Sequence, residues 1–355
     1  MNIRAIAEMQ CPYCLASFQV NHRLKTTPTS IEYGSVFCAC EEFPIIAGIL
    51  DLRRKYAKRS IREIQNKSRE EAMKSALTQS KVWKWSPLIT MIANTDSLSE
   101  RQSHVILALT KVIGNAHAAD YIRKRRTEKE SLLLYLPLSL LPERKKEHTW
   151  LDVGSGFNSQ LPILAEYRPR ITFLALDISF FKLLLFRISQ PSPNLSFICS
   201  DINSGFPVKP EKVSVITLID VLANIEEQRR AIELLTKRKQ LKSEGFLLIT
   251  SIPEKVYLPF SETTYPLKRK LLRSFFPSPP AIMDEVKIVN TLGDPTMNLR
   301  AHQVGDQDTL FRYTVIWPRQ KIRKRKYKLH IPKHAIEKAE TIWQTSKVKW
   351  ENRAY

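Results

Sequence analysis

With 355 residues and 43% hydrophobic content, the chain can bury a sizeable core and has room for two domains, which excludes a disordered tail protein. Its formal charge of +21 points to an anionic partner, as a matter of solubility and encounter and not of fold. The longest apolar run, Leu132 to Leu141, contains Pro137 and falls far short of the roughly 20 residues that cross a bilayer, so no membrane span is expected.

The N-terminal stretch MNIRAIAEMQ has neither the long apolar core nor the cleavage site of a signal peptide, and a cytoplasmic location is expected. Cys11-Pro-Tyr-Cys14 follows, and Cys38-Ala-Cys40 comes a hairpin's length later. A Cys-x-x-Cys knuckle places two thiolates on one ion, and a second pair completes the four sulfurs of a closed tetrahedral zinc site. Zinc held by Cys11, Cys14, Cys38 and Cys40 within residues 1–52 is therefore expected. The second pair is tighter than Cys-x-x-Cys, which leaves His22 open as a replacement for Cys38 or Cys40. On this reading, losing one cysteine ligand unfolds the first fifty residues and spares the rest of the chain.

Residues 53–142 read as a helical linker and cap. The part from 53 to 80 is strongly polar with sparse anchors at Tyr56, Ile61, Ile64 and Met73, as in a linker helix or solvated arm. Beyond it, Trp83 to Leu141 is helical in pattern, broken at Pro87 and with a Ser-x-x-Gln start at Ser99 that resembles a capping box.

The densest signal is residues 149 to 177. Thr149 to Val153 is an apolar strand, and Gly154 and Gly156 let backbone approach a ligand where a Cβ would clash. A helical pattern runs from Phe157 to Tyr167, Ile171 to Leu176 is a second strand, and Asp177 closes it where an acid can hold ribose hydroxyls. This is a nucleoside-binding βαβ unit. Leu195 to Cys199 is a third strand with Asp201 just past it, Val213 to Ile219 a fourth ending at Asp220, and Gly245 to Ser251 a fifth. An amphipathic helix, Gln228 to Lys239, lies between the last two. Pro253 to Pro280 interleaves aromatics with cations, as a substrate lid would, and Glu285 to Asn290 and Thr309 to Trp317 are expected as the last strands. Residues 321–355 form a basic C-terminal tail with a terminal helix.

Asp152-Val-Gly-Ser-Gly-Phe-Asn158 resembles motif I of the class I S-adenosylmethionine (SAM) methyltransferases, acid-x-G-x-G-x-G, with Asn158 in the place of the last glycine. Asp220-Val-Leu-Ala-Asn-Ile-Glu-Glu resembles the D-V-L-E-H-I-E run of a large subfamily, with Asn224 replacing the histidine, and Phe206-Pro207 sits where that subfamily has L-P-F-P. The resemblance covers roughly residues 145 to 255. It implies an α/β fold, a doubly wound seven-stranded Rossmann-like sheet over residues 143–320, and SAM bound at Asp152, Gly154, Ser155, Gly156, Asn158, Asp177, Asp201 and Asp220. Glu42 to Leu52 is similar to the Y-P-I-x-D-G-I-P-D-L ending of a small zinc-ribbon domain found alone as a methyltransferase activator, departing from it at Ala47 and Leu50.

Three functions follow from the residues and the resemblance together: SAM-dependent methyl transfer to a small-molecule acceptor, the same chemistry on RNA, or a zinc-containing binding protein without activity. A base is needed only for an acceptor that starts protonated, and the candidates are His104, His117, Tyr265 and His302. No Asn/Asp-Pro-Pro-Tyr run follows the fourth strand, and Cys199 is the only cysteine outside the clustered four. These facts argue against adenine-amino and cytosine-C5 methylation.

Overall fold

The computed structural model describes residues 1–77, 89, 133–141, 147–156, 160–189, 191–237, 240–254, 265–291, 303–304 and 312–319. Asn158, His104, His117, His302, the Ser99 capping box, residues 255–264 of the lid and the basic tail lie outside the described residues.

One mixed sheet holds the molecule together. Its strands are β1 (Gln19–Thr26), β2 (Ile31–Phe37), β3 (Glu42–Ile46), β4 (Ile49–Asp51), β5 (His148–Val153), β6 (Ile171–Asp177), β7 (Leu195–Cys199), β8 (Val213–Ile219), β9 (Leu241–Pro253), β10 (Ala281–Asp284) and β11 (Arg312–Trp317). They are ordered β1-β2-β3-β4-β7-β6-β5-β8-β9-β11-β10. From β4 to β9 every neighbouring pair is parallel, while β11 runs antiparallel to both β9 and β10.

Strands buried on both faces have no need to alternate polar and apolar residues, and β7 (LSFIC) and β8 (VSVITLI) are accordingly near-continuous apolar runs. Successive side chains still point to opposite faces. Trp150, Phe173, Phe197 and Phe246 pack on one side, against the helix Phe180–Ser189; Leu151, Leu174, Ile198 and Leu247 pack on the other, with Ala231, Ile232 and Leu235 of the helix Gln228–Thr236. Helices on both faces of a parallel core make the doubly wound layer expected from the sequence.

The N-terminal module is part of the same sheet. β1 to β4 form an antiparallel meander, and β4 then pairs in parallel with β7, placing Ile49 beside Phe197, Leu50 beside Ile198 and Asp51 beside Cys199. The module also shares the core: Ile46 and Ile49 join one hydrophobic cluster, Phe43, Ile45 and Leu50 the other. The strand edge of β7, which would otherwise present unpaired backbone groups, is covered by this addition.

The segment after β4 is no solvated arm. It forms the helices Arg54–Gln65 and Arg69–Leu77, which bury Ala57, Ile61 and Ile64, then Ala72, Ala76 and Leu77. Tyr56 and Met73 are only partly buried. Three of these contacts are alanines, whose small side chains allow close packing without adding to an apolar pattern. A second correction concerns Glu285 to Asn290, which belongs to the helix Glu285–Thr291 and not to a strand. The Asp284 carboxylate accepts from the amides of Val286 (3.0 Å) and Lys287 (3.3 Å), an N-cap that ends the preceding strand β10 and starts the helix.

The cysteine knuckle rests on the loop after β7. Met9 bridges Val208, and the Gln10 amide donates to the Pro207 carbonyl at 3.0 Å. Gly205 has φ +142°, and a Cβ there would lie 2.1 Å from the Pro12 carbonyl oxygen, so only glycine fits beneath the knuckle. Gly205→Ala is expected to destabilise the protein by about 1–3 kcal/mol in denaturant unfolding, from overpacking against backbone. An unchanged midpoint would mean that the knuckle is free to lift away.

Candidate functional site

The first centre forms where the parallel strands end and their order reverses, β6 leaving β5 on one side and β8 on the other. This is the switch point at which doubly wound sheets bind ligands. Val153 ends β5, and the chain turns through Gly154 (φ 68°) and Gly156 (φ 53°). A Cβ on Gly154 would lie 2.4 Å from Val221 Cγ1, so the turn packs directly on the residue after Asp220. The Ser155 amide donates to the Leu176 carbonyl at 2.9 Å, while Ser155 Oγ is buried with no hydrogen-bond partner among the described residues. A buried hydroxyl without a partner is costly unless a ligand or water completes it.

Asp177 receives two backbone donors. Gly156 N–H reaches Oδ2 at 2.8 Å and Ser179 N–H reaches Oδ1 at 2.7 Å. The carboxylate is 6% exposed and offers about four lone-pair sites, so these bonds fix its orientation and leave capacity for two further donors. Asp152 stands differently. At 1% exposure it accepts from Thr217 Oγ1 (2.6 Å), which in turn accepts from Trp150 Nε1 (2.9 Å), a chain that ties β5 to β8 beneath the turn.

Asp201, half-buried, caps its own turn by accepting from the Asn203 amide at 2.9 Å. Asp220 follows β8 with φ 54°, and its carbonyl accepts from Asn224 Nδ2 at 3.3 Å. A non-glycine residue held at positive φ is strain of the kind that collects at functional sites. Tyr265 is brought to the same place: its amide donates to the Ala223 carbonyl at 2.7 Å, and Gln228 Nε2 bridges the carbonyls of Leu222 and Tyr265 at 3.0 and 2.9 Å. Its side chain is 40% exposed. Of the four candidate bases, Tyr265 alone lies within the described residues. Sequence reasoning missed Ile178, a large apolar residue 59% exposed immediately after Asp177; the signal available was an apolar residue next to a strand-ending acid.

Residues 151–249 match the family model described as a methyltransferase domain. This stretch is a class I SAM-dependent methyltransferase domain. Among solved structures, phosphoethanolamine N-methyltransferase 2 of Haemonchus contortus with S-adenosyl-L-methionine is 13% identical, with a TM-score of 0.37 over 62% of this chain and 49% of that one. The chain therefore spans about half the length of that enzyme. A complex of the Haloferax volcanii Trm112 methyltransferase activator with a methyltransferase gives 16% identity and a TM-score of 0.40 over 56% of this chain and 92% of that one. A SAM-dependent methyltransferase of Aquifex aeolicus gives 17% and 0.34 over 55% and 90%. No curated protein matches the chain.

The second centre is the cysteine cluster. The four Sγ atoms of Cys11, Cys14, Cys38 and Cys40 lie within 4.8 Å of one another, with Cys11–Cys40 at 3.6 Å and Cys38–Cys40 at 3.5 Å. Bonds of roughly 2.3 Å from one tetrahedral ion put sulfurs about 3.8 Å apart, so the spacing fits a single metal. Burial raises the Cys11 and Cys38 thiols above their usual range. Desolvation also acts on Cys14, but the Ala16 amide and the neighbouring sulfurs outweigh it and bring that thiol down to about 7. Arg54 faces the cluster, donating to Cys40 Sγ at 3.3 Å, pairing with Glu41 at 3.1 Å and lying 3.9 Å over the Tyr13 ring.

Proposed function

We propose that the methyltransferase binds SAM at the Gly154–Gly156 turn and passes its methyl group to an RNA acceptor that lies along the helix Arg54–Gln65. Bound SAM supplies a sulfonium methyl open to in-line displacement, so the protein's task is chiefly to orient donor and acceptor. Asp177 holds the ribose hydroxyls, the glycine turn and Ser155 Oγ receive the methionine part, Ile178 and Asp201 flank the adenine, and Asp152 keeps the turn in place from beneath. Asn158 and Asp220 complete the donor site. One zinc ion is held by Cys11, Cys14, Cys38 and Cys40; with all four ligand places filled by protein it supplies a cross-link and no reactive position.

The observation that carries the acceptor class is the outer face of that helix. Arg54, Lys55, Lys58, Arg59 and Arg62 are exposed, opposite the buried Ala57, Ile61 and Ile64. They form a basic stripe about 12 Å long at 1.5 Å per residue. Lys58, Arg59 and Arg62 make no ion pair with a described residue. The stripe follows directly on the buried Arg53, whose guanidinium reaches the Ile178 carbonyl at 3.5 Å. A polyanion neutralises such a stripe by releasing its own counterions.

Replacing Lys58, Arg59 and Arg62 together with Gln is expected to lower the log–log salt slope for a single-stranded RNA oligonucleotide by about 2, at roughly 0.7 per lost phosphate contact. Replacing Arg229 and Arg230, exposed on the helix Gln228–Thr236, together with Lys237 just past its end, controls for overall charge. Equal slopes in the two variants would remove the RNA reading. A small-molecule acceptor is the second reading, favoured by Tyr265, whose backbone is held at the Asp220–Asn224 turn while its side chain is partly exposed; under it the Gln variant keeps its turnover.

A further inference from the structure

The buried pair Asp51–Arg53 lies outside both centres, and neither the donor reading nor the zinc reading uses it. Asp51 is the last residue of β4, and it is fully buried. Across the parallel register, Asp51 stands beside Cys199, and Cys199 beside Asp177, so the two acids occupy the same level on strands separated only by β7. That separation is roughly two strand spacings, about 10 Å. An ionised Asp51 on its own would be an uncompensated buried charge facing the donor acid. Arg53 answers it with a two-pronged contact, Nε to Oδ1 at 2.7 Å and Nη2 to Oδ2 at 2.6 Å.

The same guanidinium reaches further. Nη1 donates to the Ile178 carbonyl at 3.5 Å, Nη2 to the Ala76 carbonyl at 3.4 Å, and the group lies over the Phe180 ring at 5.8 Å. Cys199 Sγ donates to the same Ile178 carbonyl at 3.4 Å, and the Ser200 amide holds the Asp177 carbonyl at 3.0 Å. The segment Asp177 to Phe180 is thus held from below by β7 and from the side by Arg53. From these contacts we infer that Arg53 is a positioning residue for the methyl donor: paired with Asp51, it fixes the Asp177–Ile178 loop in the conformation that binds SAM, and so links the N-terminal module to donor affinity. This rests on the assignment of SAM to Asp177.

Removing Arg53 alone would strand Asp51, so two variants are needed. Asp51→Asn/Arg53→Met removes both charges together, and Arg53→Lys keeps a cation for Asp51 but gives up the Nη1 contact to the Ile178 carbonyl. Calorimetric titration of the full-length chain with SAM is expected to show a Kd raised about tenfold in the double variant, within the usual range of couplings between linked sites. Arg53→Lys should fall between it and the unaltered chain. The number of SAM sites per folded chain should stay at one, and turnover at saturating SAM should change by less than about twofold, since the loop orients the donor and does not touch the transferred methyl. A merely structural role would lower the bound fraction and the unfolding temperature and leave Kd as it was; that result, or an unchanged Kd, would overturn the inference. No SAM binding by the unaltered chain would remove the donor assignment and this inference with it. Weakening by Asp177→Ala without weakening by the double variant would remove the inference alone.

Discussion

Asp177→Ala is expected to weaken SAM binding by about 1.5 to 3 kcal/mol, the size of a lost charge-assisted hydrogen-bond set, or roughly ten- to 150-fold in Kd. The carboxylate is already oriented by the Gly156 and Ser179 amides, so little of its binding free energy is spent on ordering it. Its removal also leaves those two amides without their acceptor, which loosens the turn that receives the methionine part. Asp177→Asn keeps one carbonyl oxygen and should lie between the two. Calorimetry on purified protein checks both values, with thermal unfolding as the control for folding. Equal affinity in Asp177→Ala and the unaltered chain would mean that SAM does not sit at the switch point.

Metal loss is expected to have the second large effect, and its reach differs from what the cysteine spacing alone implies. Elemental analysis of protein purified under reducing conditions should find one zinc per chain. Cys11→Ser, or a strong chelator, should then lower stability by several kcal/mol, a large share of the 5–15 kcal/mol that holds a domain folded. The sequence, read segment by segment, implies that only the first fifty residues would unfold. The structure implies more, because β4 is hydrogen-bonded to β7 and the knuckle rests on the loop behind Asp201. Donor affinity should therefore fall together with the unfolding temperature. A separate low-temperature transition with SAM affinity intact would show that the module melts by itself.

Much of the geometry of the candidate site is legible in the sequence because its demands are local. A turn that brings backbone to a ligand needs glycine at Gly154 and Gly156, and a strand-ending acid such as Asp177 can be found by counting along the chain. The parallel strands announce themselves as unbroken apolar runs. What stays hidden depends on contacts between distant segments. Nothing near Ile49 to Asp51 says that three residues will pair with β7, and nothing in a polar stretch such as Arg54–Gln65 distinguishes a docked helix from a solvated one when small alanines carry the packing. The Glu285–Thr291 helix was obscured differently: Val286, Ile288 and Val289 are β-branched and favour a strand by propensity, but the Asp284 cap decides the local geometry. The contacts of Arg53 could not be read from its neighbours, since they run to Ile178 and Phe180, far along the chain.

The pairing of β4 with β7 also sets an order of events on the ribosome. Ile49 meets Phe197 about 150 residues later in the chain, a long loop to close for a three-residue strand. During synthesis the cysteine knuckle emerges first and can capture its metal early, yet β4 has no neighbour on its outer side until β7 has left the exit tunnel. For that interval the nascent chain exposes Ile49, Leu50 and the backbone edge of Asp51. At roughly 5–20 residues per second the wait lasts on the order of ten seconds, long enough for chaperones or a second nascent chain to reach the open edge. Slower translation between residues 52 and 195 would lengthen this exposure, and soluble yield should respond to codon choice there more than in the segments that follow β7.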